Sequence, residues 1–205
     1  MEEVNNQNRL TWRQRQAQAT RALILATAQS LFLEHGYAGT TVEAIAEQAG
    51  VAVSTVYAVF GSKLGILRGI REGWHERSHI REVALSDTET TEPAQRLVQL
   101  AQATRQQWET GAEVIAVYKG AAAADPQAAA ELAAALQGRR EAMRAFAHHL
   151  APHLRGDLDV AQAAAIVQAL CLSEVYDELV TRAGWSADAY EAWLLKVLKR
   201  ELLGL

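Results

Sequence analysis

The sequence predicts an all-α protein of about nine helices joined by short connections, with an N-terminal helix-turn-helix domain of three helices and a larger C-terminal helical bundle. Nowhere do Val, Ile and Thr alternate with polar residues over a strand's length, so the pattern indicates no strand. Alanine, the strongest helix former, is abundant, as in AAAADPQAAAELAAAL. Prolines, glycines and Asp or Ser caps separate most of the helical segments.

The first helix is predicted from Thr11 to about His35. Thr11 and Gln14 have the spacing of a capping box, and Gly36 supplies a C-terminal stop. Apolar residues at helical spacing give the segment one buried face: Ile24, Ala28, Leu31 and Phe32.

Two short helices follow. Thr40 stands three residues before Glu43, which predicts a second capping box, and an apolar stripe then runs to a stop at Gly50. A third segment covers 53–59, and Ser62 is the expected cap of a fourth helix running toward Leu85. Five more helices are expected at about 94–109, 112–124, 127–151, 159–182 and 187–203.

Composition limits the class of protein. The net charge of −4 argues by itself against nucleic-acid binding, but residues 1–80 carry eight Lys/Arg against seven Asp/Glu, and residues 81–205 carry twelve against seventeen. Cys171 is the single cysteine, no apolar stretch approaches the ~20 residues of a membrane span, and the polar N-terminus does not resemble a signal peptide. We therefore expect a cytoplasmic protein.

Residues 42–60 read VEAIAEQAGVAVSTVYAVF. Two helices that are each too short to be stable alone, joined by a tight glycine turn, predict a helix-turn-helix. The first helix would pack on the second and hold its outer face toward a DNA major groove. Val56 and Phe60, at i and i+4, should face the core.

The segment TTVEAIAEQAGVAVSTVYAVFGSKLGIL resembles the N-terminal signature of the tetracycline-repressor (TetR) family across its whole length. The Thr-Thr entry, the Ala-Gly-Val turn, the Thr-x-Tyr-x-x-Phe core and the Ser-Lys that opens helix four carry the resemblance. The preceding ALILATAQSLFLEHGYAGT is similar to the family's first helix. The resemblance implies a DNA-binding domain over 1–62 and an effector-binding and dimerisation domain over 63–205, with helix four linking them.

The resemblance also implies roles for individual residues. Thr40 or Thr41, Tyr57 and Lys63 would contact phosphates. Arg9, Arg13, Arg15 and Arg21 could add backbone or minor-groove contacts. The residues that would face base edges are Ala52, Val53, Ser54, Thr55 and Ala58. Family members often carry basic or polar residues near Val53, Ala58 and Val59, so here thymine-methyl contacts or DNA shape are expected to carry more of the specificity.

The C-terminal end, LSEVYDELVTRAGWSADAYEAWLLKVLKRELLG, is similar to the last two helices of many members, which form a four-helix dimer interface. Two apolar stripes agree with burial in a two-fold contact, although ordinary core packing explains them as well. The expected interface residues are Val160, Ala164, Val167, Cys171, Tyr190, Trp193, Leu194 and Val197. A homodimer would place two recognition helices about 34–36 Å apart on a near-palindromic operator.

The resemblance places a small-molecule effector pocket within each larger domain. The candidates to line it are Trp74, Trp108, Tyr118, Met143, Phe146 and Tyr176, with plain core packing the alternative for each. The effector itself is unknown, and no cofactor and no membrane partner are predicted.

Two rival interpretations remain open. His75, Glu76 and His79 match HExxH, the zinc-peptidase pattern, in which both imidazoles share one helix face; no third ligand follows at peptidase spacing. A regulatory metal or pH-sensing site on the same histidines is the other use of this segment. A purely protein-binding helical module is the second rival, and it would lack salt-dependent DNA affinity. No phosphate-binding loop or nucleophile elbow supports an enzyme.

Overall fold

The structure is a computed structural model that describes residues 11–85 and 92–205. This part of the chain is helical and contains no strand, so the all-α prediction is confirmed. The α-helices are α1 (Trp12–Gly39), α2 (Val42–Gln48), α3 (Val53–Phe60), α4 (Lys63–Ser78), α5 (Ile80–Leu85), α6 (Pro93–Glu109), α7 (Ala112–Ala124), α8 (Pro126–His149), α9 (Val160–Leu170), α10 (Ser173–Tyr176) and α11 (Ala187–Leu198). A 3₁₀ turn spans Ala151–His153, and π-helical turns over Asp177–Arg182 and Lys199–Leu203 extend α10 and α11.

The first helix begins as its sequence predicts. The Thr11 side chain accepts from the Gln14 amide, and the Gln14 side chain accepts from the Thr11 amide, which completes a capping box. At Gly36 the backbone turns to φ 73°, a conformation that favours glycine, and one further helical turn follows to Gly39. The predicted stop at Gly36 is therefore a kink within α1.

The cap of α2 differs from its prediction. Thr41, not Thr40, is the N-cap, and its hydroxyl accepts from the Ala44 amide at 3.1 Å. Thr40 is only 2 % exposed, and its hydroxyl donates to the carbonyls of Leu31 and Gly36. The two adjacent threonines are equally suited to cap a helix. Thr41 caps α2 because the Thr40 hydroxyl is already bonded to carbonyls of α1.

The predicted fourth helix, 62–85, divides into α4 and α5. Ser62 caps α4 as expected, accepting from the Gly65 amide at 3.1 Å. The helix ends at Ser78 because His79 adopts a left-handed conformation with φ 52°. The prediction of one continuous helix was wrong at this residue.

The predicted helix 159–182 is also broken, at Cys171 and Leu172. Asp159 forms the capping box of α9 with Gln162. At the other end, the carbonyl of Cys171 accepts hydrogen bonds from the Trp108 and Arg139 side chains. The two side chains satisfy a carbonyl that has no partner within α9, because that helix ends there. The next helix begins at Ser173.

One apolar core runs through the described part of the chain. Helix α1 packs on α2, α4 and α7, while α7 and α9 both pack on α8. Helix α6 packs between α4 and α11. As a result, α1 contacts the short helix α2 and the larger bundle, and α4 contacts the short helix α3 and the larger bundle.

Candidate nucleic-acid interface and helical-domain cavity

The short helix α3 lies on the surface with one side anchored in the core. Val56 is 1 % exposed, and Phe60 packs partly buried against the core beneath the guanidinium of Arg21, 5.5 Å from the ring centre. The opposite face is open to solvent, as predicted for a recognition helix. Its exposed residues are Ala52, Ser54, Tyr57, Ala58 and Val59, and Val53 and Thr55 are half-buried.

The solvent face of α3 carries few hydrogen-bonding side chains. Ala52 occupies the N-cap and supplies no side-chain bond to the helix amides, so main-chain N–H groups at this end remain available to an anion. Tyr57 is 47 % exposed, which leaves its hydroxyl accessible. Val59, 42 % exposed, was not among the predicted contact residues. Because Val59 follows Ala58 on a helix of only eight residues, it could have been predicted to contact the bases together with Ala58.

Thr40 cannot serve as the predicted phosphate contact, because its hydroxyl is buried and bonded inward. Of the two threonines, Thr41 has the exposed side chain. It stands at the N-terminus of α2, where the first helical amides point outward.

Lys63, the first residue of α4, makes contacts that its sequence did not predict. Its ammonium donates to the carbonyls of Tyr37 (2.7 Å) and Thr40 (3.0 Å) and lies 4.4 Å from the centre of the Tyr37 ring. These bonds tie the start of α4 to the end of α1. An ammonium has three N–H donors, so one remains for a further partner.

The N-terminal arginines occupy different positions. Arg13 and Arg15 are exposed on the first turns of α1. Arg21 forms an ion pair with Glu72 at 3.4 Å. The predicted contact from Arg9 lies outside the described residues.

A cavity of about 400 Å³ lies within the larger helical domain. It is lined by residues of α4–α10, and its wall includes four of the six predicted residues: Trp74, Trp108, Tyr118 and Met143. Phe146 and Tyr176 do not line it. Phe146 is fully buried in the core beneath Arg96, and Tyr176 packs edge-on against Tyr190 at 4.9 Å.

The cavity wall also carries charged residues that sequence analysis missed. Arg71 pairs with Glu131 at 3.2 Å, Lys119 pairs with Glu174 at 3.6 Å, and Arg139 lies over the ring of Trp108, 5.2 Å from its centre. The sequence-based prediction relied on aromatic and apolar residues. Arg139 lies in a Gln-Gly-Arg-Arg run that has the appearance of a solvated helix face, so the sequence held no signal that it lines a cavity.

Hydrogen bonds join the walls of the cavity to helix α4. The Tyr118 hydroxyl donates to the carbonyl of Leu67 at 3.1 Å, and the Trp74 indole donates to the carbonyl of Gln107 at 2.9 Å. Desolvation by burial raises the pKa of Tyr118 to about 12, so its hydroxyl keeps its proton at neutral pH. The cavity wall is thus joined directly to α4, and α4 also packs against α3.

Four of the eight predicted dimer contacts belong to the protomer's own core. Val167, Cys171, Tyr190 and Leu194 are each no more than 2 % exposed within a single chain, so they have almost no surface to contribute to a second copy. Val160, Ala164, Trp193 and Val197 retain partial exposure. Helical periodicity placed all eight on two apolar stripes, but each stripe is wide enough to face both the core and the surface.

The HExxH segment does not form the geometry of a zinc peptidase. Helix α4 ends at Ser78, so His75 and His79 are not on one continuous helix face. His79 is exposed and lies 3.2 Å from Glu82, whereas His75 lines the cavity beside Trp74. In residues 11–85 and 92–205, no three His, Cys, Asp or Glu side chains lie close enough together to hold a metal ion.

The segment that contains α2 and α3 matches a known family model. Residues 24–70 match the model of the bacterial regulatory proteins of the tetR family. This segment of the chain belongs to the tetR family. Over 75 residues, 36 % of this chain and 36 % of the relative, the sequence is 35 % identical to the HTH-type transcriptional regulator TtgR of Pseudomonas putida. The match thus spans about a third of that regulator's length.

Solved structures share most of the fold of this chain. The SmeT–triclosan complex superposes with a TM-score of 0.70 at 20 % identity, covering 90 % of this chain and 92 % of SmeT. NalD of Pseudomonas aeruginosa, the secondary repressor of the MexAB-OprM multidrug efflux pump, superposes with a TM-score of 0.66 at 23 % identity, covering 92 % and 98 %. At these sequence identities, the similarity shows a shared fold and does not assign a function. No helix in the described parts of the chain is both long and apolar enough to cross a membrane.

Proposed function

We propose that the protein is a sequence-specific DNA-binding transcriptional regulator, a repressor that binds a near-palindromic operator as a homodimer. The observation that carries the proposal is the outward face of α3 within the tetR-family segment 24–70. Val56 holds the helix in the core while Ser54, Tyr57 and Ala58 stay exposed, which is the arrangement needed to enter a major groove. TtgR, to which this segment is similar, is a transcriptional regulator.

Within this proposal, phosphate contacts supply most of the affinity. Thr41 and Tyr57 have exposed side chains, and the amides at the N-terminus of α3 have no capping side chain. The apolar Val53, Ala58 and Val59 offer methyl groups rather than hydrogen bonds to the bases. Thymine methyls and DNA shape therefore account for much of the sequence preference.

The proposed dimer pairs α9 and α11 of two copies. Partly exposed apolar side chains remain on both helices after the protomer has folded, among them Ala164, Trp193 and Val197. Trp185, 38 % exposed, packs edge-on against Trp193 and extends this surface. Covering it with the same surface of a second copy gives the two-fold symmetry that a palindromic operator requires.

A small-molecule effector that binds the cavity would release the DNA. The cavity volume of about 400 Å³ suits a drug-sized ligand, and Tyr118 joins its wall to α4. Among the proteins of similar fold, SmeT forms a complex with triclosan, and NalD is the secondary repressor of an efflux pump. An effector that favours one separation of the two α3 helices lowers the population of the DNA-binding state.

The proposal assigns the chain no catalytic activity and no cofactor, and it places the protein in the cytoplasm with its operator. Family and fold are those of transcriptional regulators. The cavity residues are held in ion pairs and stacking contacts rather than in a nucleophile–base arrangement.

A mobility-shift titration tests the proposal. The full chain is titrated into labelled fragments from upstream of its own and neighbouring genes, at two salt concentrations, with scrambled competitor DNA. We expect one fragment to bind above competitor, with an affinity that falls steeply as salt rises. Failure of these fragments and of genome-wide fragments to bind better than competitor at low salt would overturn the proposal.

Variants locate the interface in the same assay. Tyr57→Phe removes a hydroxyl from the exposed face of α3, and Tyr176→Phe removes one from a tyrosine packed in α10. We expect Tyr57→Phe to weaken the specific complex several-fold and Tyr176→Phe to leave it unchanged. Equal effects of the two variants would show that the exposed face of α3 does not contact the DNA.

A further inference from the structure

The charges on the cavity wall do not balance. Three cations, Arg71, Lys119 and Arg139, face two carboxylates, Glu131 and Glu174. Glu131 forms ion pairs with both Arg71 and Arg68, and Glu174 forms an ion pair with Lys119. Within residues 11–85 and 92–205, Arg139 forms no ion pair. The wall therefore carries one positive charge without a carboxylate partner.

The partners that Arg139 does have are neutral oxygens. Its guanidinium donates to the side-chain oxygen of Gln168 at 3.4 Å and to the carbonyl of Cys171. A guanidinium has five N–H donors, so these two bonds leave donors for another acceptor. The guanidinium carbon lies over the Trp108 ring, 5.2 Å from its centre, which is a cation–π distance.

The surroundings of Arg139 strengthen any bond it makes to an anion. Desolvation by burial lowers the pKa of its guanidinium, and the charge of Glu174, which is not close enough to form an ion pair, offsets only part of this effect. An arginine side chain nevertheless stays protonated at neutral pH. A cation in poorly solvated surroundings gains more from an opposite charge than an exposed one does.

We propose that the cavity takes an organic monoanion, an apolar body that carries one carboxylate, and that Arg139 binds the carboxylate. This inference rests on the proposed function, since it names the chemical class of the effector. Arginine presents two parallel N–H donors that match the two oxygens of a carboxylate. The single unbalanced charge on the wall fits a ligand with a single negative charge.

The apolar part of the wall suits the body of the ligand. Trp74, Trp108 and Met143 are joined there by Ile115 and Leu132. These side chains offer no strong hydrogen bond to a second polar group on the ligand. A ring system or an alkyl chain next to the carboxylate therefore matches the volume of about 400 Å³.

Matched acid and amide pairs test the proposal. The full chain, without DNA, is titrated by calorimetry with 2-naphthoate and 2-naphthamide, 4-phenylbutyrate and its amide, and octanoate and its amide. Each pair differs in charge and little in shape. We expect at least one acid to bind about tenfold or more tightly than its amide, the factor that a hydrogen bond to a charged group supplies.

Two variants assign the preference to Arg139. Arg139→Gln removes the charge and keeps a donor for Cys171, and we expect it to bring acid and amide within about threefold of each other. Arg140→Gln removes the neighbouring arginine of α8, which is exposed and does not line the cavity, and should keep the preference. Arg139→Lys keeps the charge and loses the paired donors, so an intermediate preference is expected. Far-UV circular dichroism confirms that each variant is folded.

The proposal is overturned if no acid of the panel binds, if acids and amides bind the wild-type chain equally, or if Arg140→Gln abolishes the preference as completely as Arg139→Gln. The first two outcomes need no variant, so they stand even if Arg139→Gln does not fold. Because these titrations contain no DNA, their failure is separate from a failure of the mobility-shift assay. A chain that binds its operator but shows no acid preference remains a regulator with a different effector.

Discussion

The hydroxyl of Tyr118 donates a 3.1 Å hydrogen bond to the main-chain carbonyl of Leu67, linking a wall of the cavity to helix α4. Tyr118 is 4 % exposed and Leu67 is fully buried, so water does not compete for this bond. Lys63, one turn before Leu67 at the start of α4, holds the first turn of this helix against the end of α1. Within the proposed function, this bond is a direct mechanical connection between effector and recognition helix.

Removing the Tyr118 hydroxyl should lower the stability of the fold. Tyr118→Phe keeps the ring and loses one buried hydrogen bond, so the free energy of unfolding should fall by about 0.5–1.5 kcal/mol. Urea unfolding followed by circular dichroism measures the change. Tyr57→Phe is the control, because its exposed hydroxyl should change stability by less than about 0.5 kcal/mol. Equal losses in the two variants would contradict the assignment.

The same tyrosine predicts a pH dependence. Burial raises the pKa of Tyr118 to about 12 in the folded chain, whereas tyrosine in an unfolded chain titrates near 10. Below about pH 10 both states hold the proton and its contribution to stability is complete. Between about pH 10 and 12 the unfolded state releases the proton first, so stability falls as pH rises.

Urea unfolding should therefore be measured from about pH 9 upward. We expect the free energy of unfolding to fall less steeply with pH in Tyr118→Phe than in the wild type, with a difference in slope that corresponds to at most one proton. Part of the loss should persist in the variant, since burial also raises the pKa of Tyr37 to about 12. Identical slopes for variant and wild type would show that Tyr118 ionises alike in both states.

The helix-turn-helix could be predicted because its signals are local. The Thr11–Gln14 capping box and the Ser62 cap depend on residues three positions apart, and both form as expected. The choice of Thr41 over Thr40 could not be predicted, since it depends on packing against α1. The break at His79 was missed because no glycine or proline marks it, and a positive φ is uncommon for residues other than glycine.

The cavity was harder to predict than the interface. Its wall combines residues from seven helices, and periodicity identifies the apolar face of a helix without showing which faces meet. Trp74 and Trp108 were placed there correctly, but Phe146 fills the core instead. Arg139 was missed because a charged residue on a helix usually points to solvent.

A close approach between α3 and α4 predicts opposite effects for two glycine substitutions. A Cβ added at Gly65 would lie 1.9 Å from the carbonyl oxygen of Phe60, a main-chain atom that cannot move without shifting the end of α3. Gly65→Ala should therefore lower the free energy of unfolding by about 1–3 kcal/mol. A Cβ at Gly120, exposed within α7, meets nothing within 4 Å. Gly120→Ala should raise stability by about 0.5–1 kcal/mol.

Urea unfolding of the two glycine variants side by side measures this difference in sign. Within the proposed function, Gly65→Ala should also weaken operator binding, because it displaces the recognition helix, while Gly120→Ala should leave binding unchanged. A Gly65→Ala chain as stable as Gly120→Ala would refute the close approach of α4 to Phe60.

Lys63 is expected to act in both folding and DNA binding. Its ammonium donates to the carbonyls of Tyr37 and Thr40, so Lys63→Ala should lower the free energy of unfolding by about 1.5–3 kcal/mol in the absence of DNA. Lys119→Ala, which removes an exposed and paired lysine, should change it by less than about 0.5 kcal/mol. In the mobility-shift assay, Lys63→Ala should also reduce the slope of log affinity against log salt by about 1, because one phosphate contact is lost. A reduced slope with unchanged stability would mean that the two carbonyl bonds contribute nothing, whereas reduced stability with an unchanged slope would limit Lys63 to holding α4 against α1.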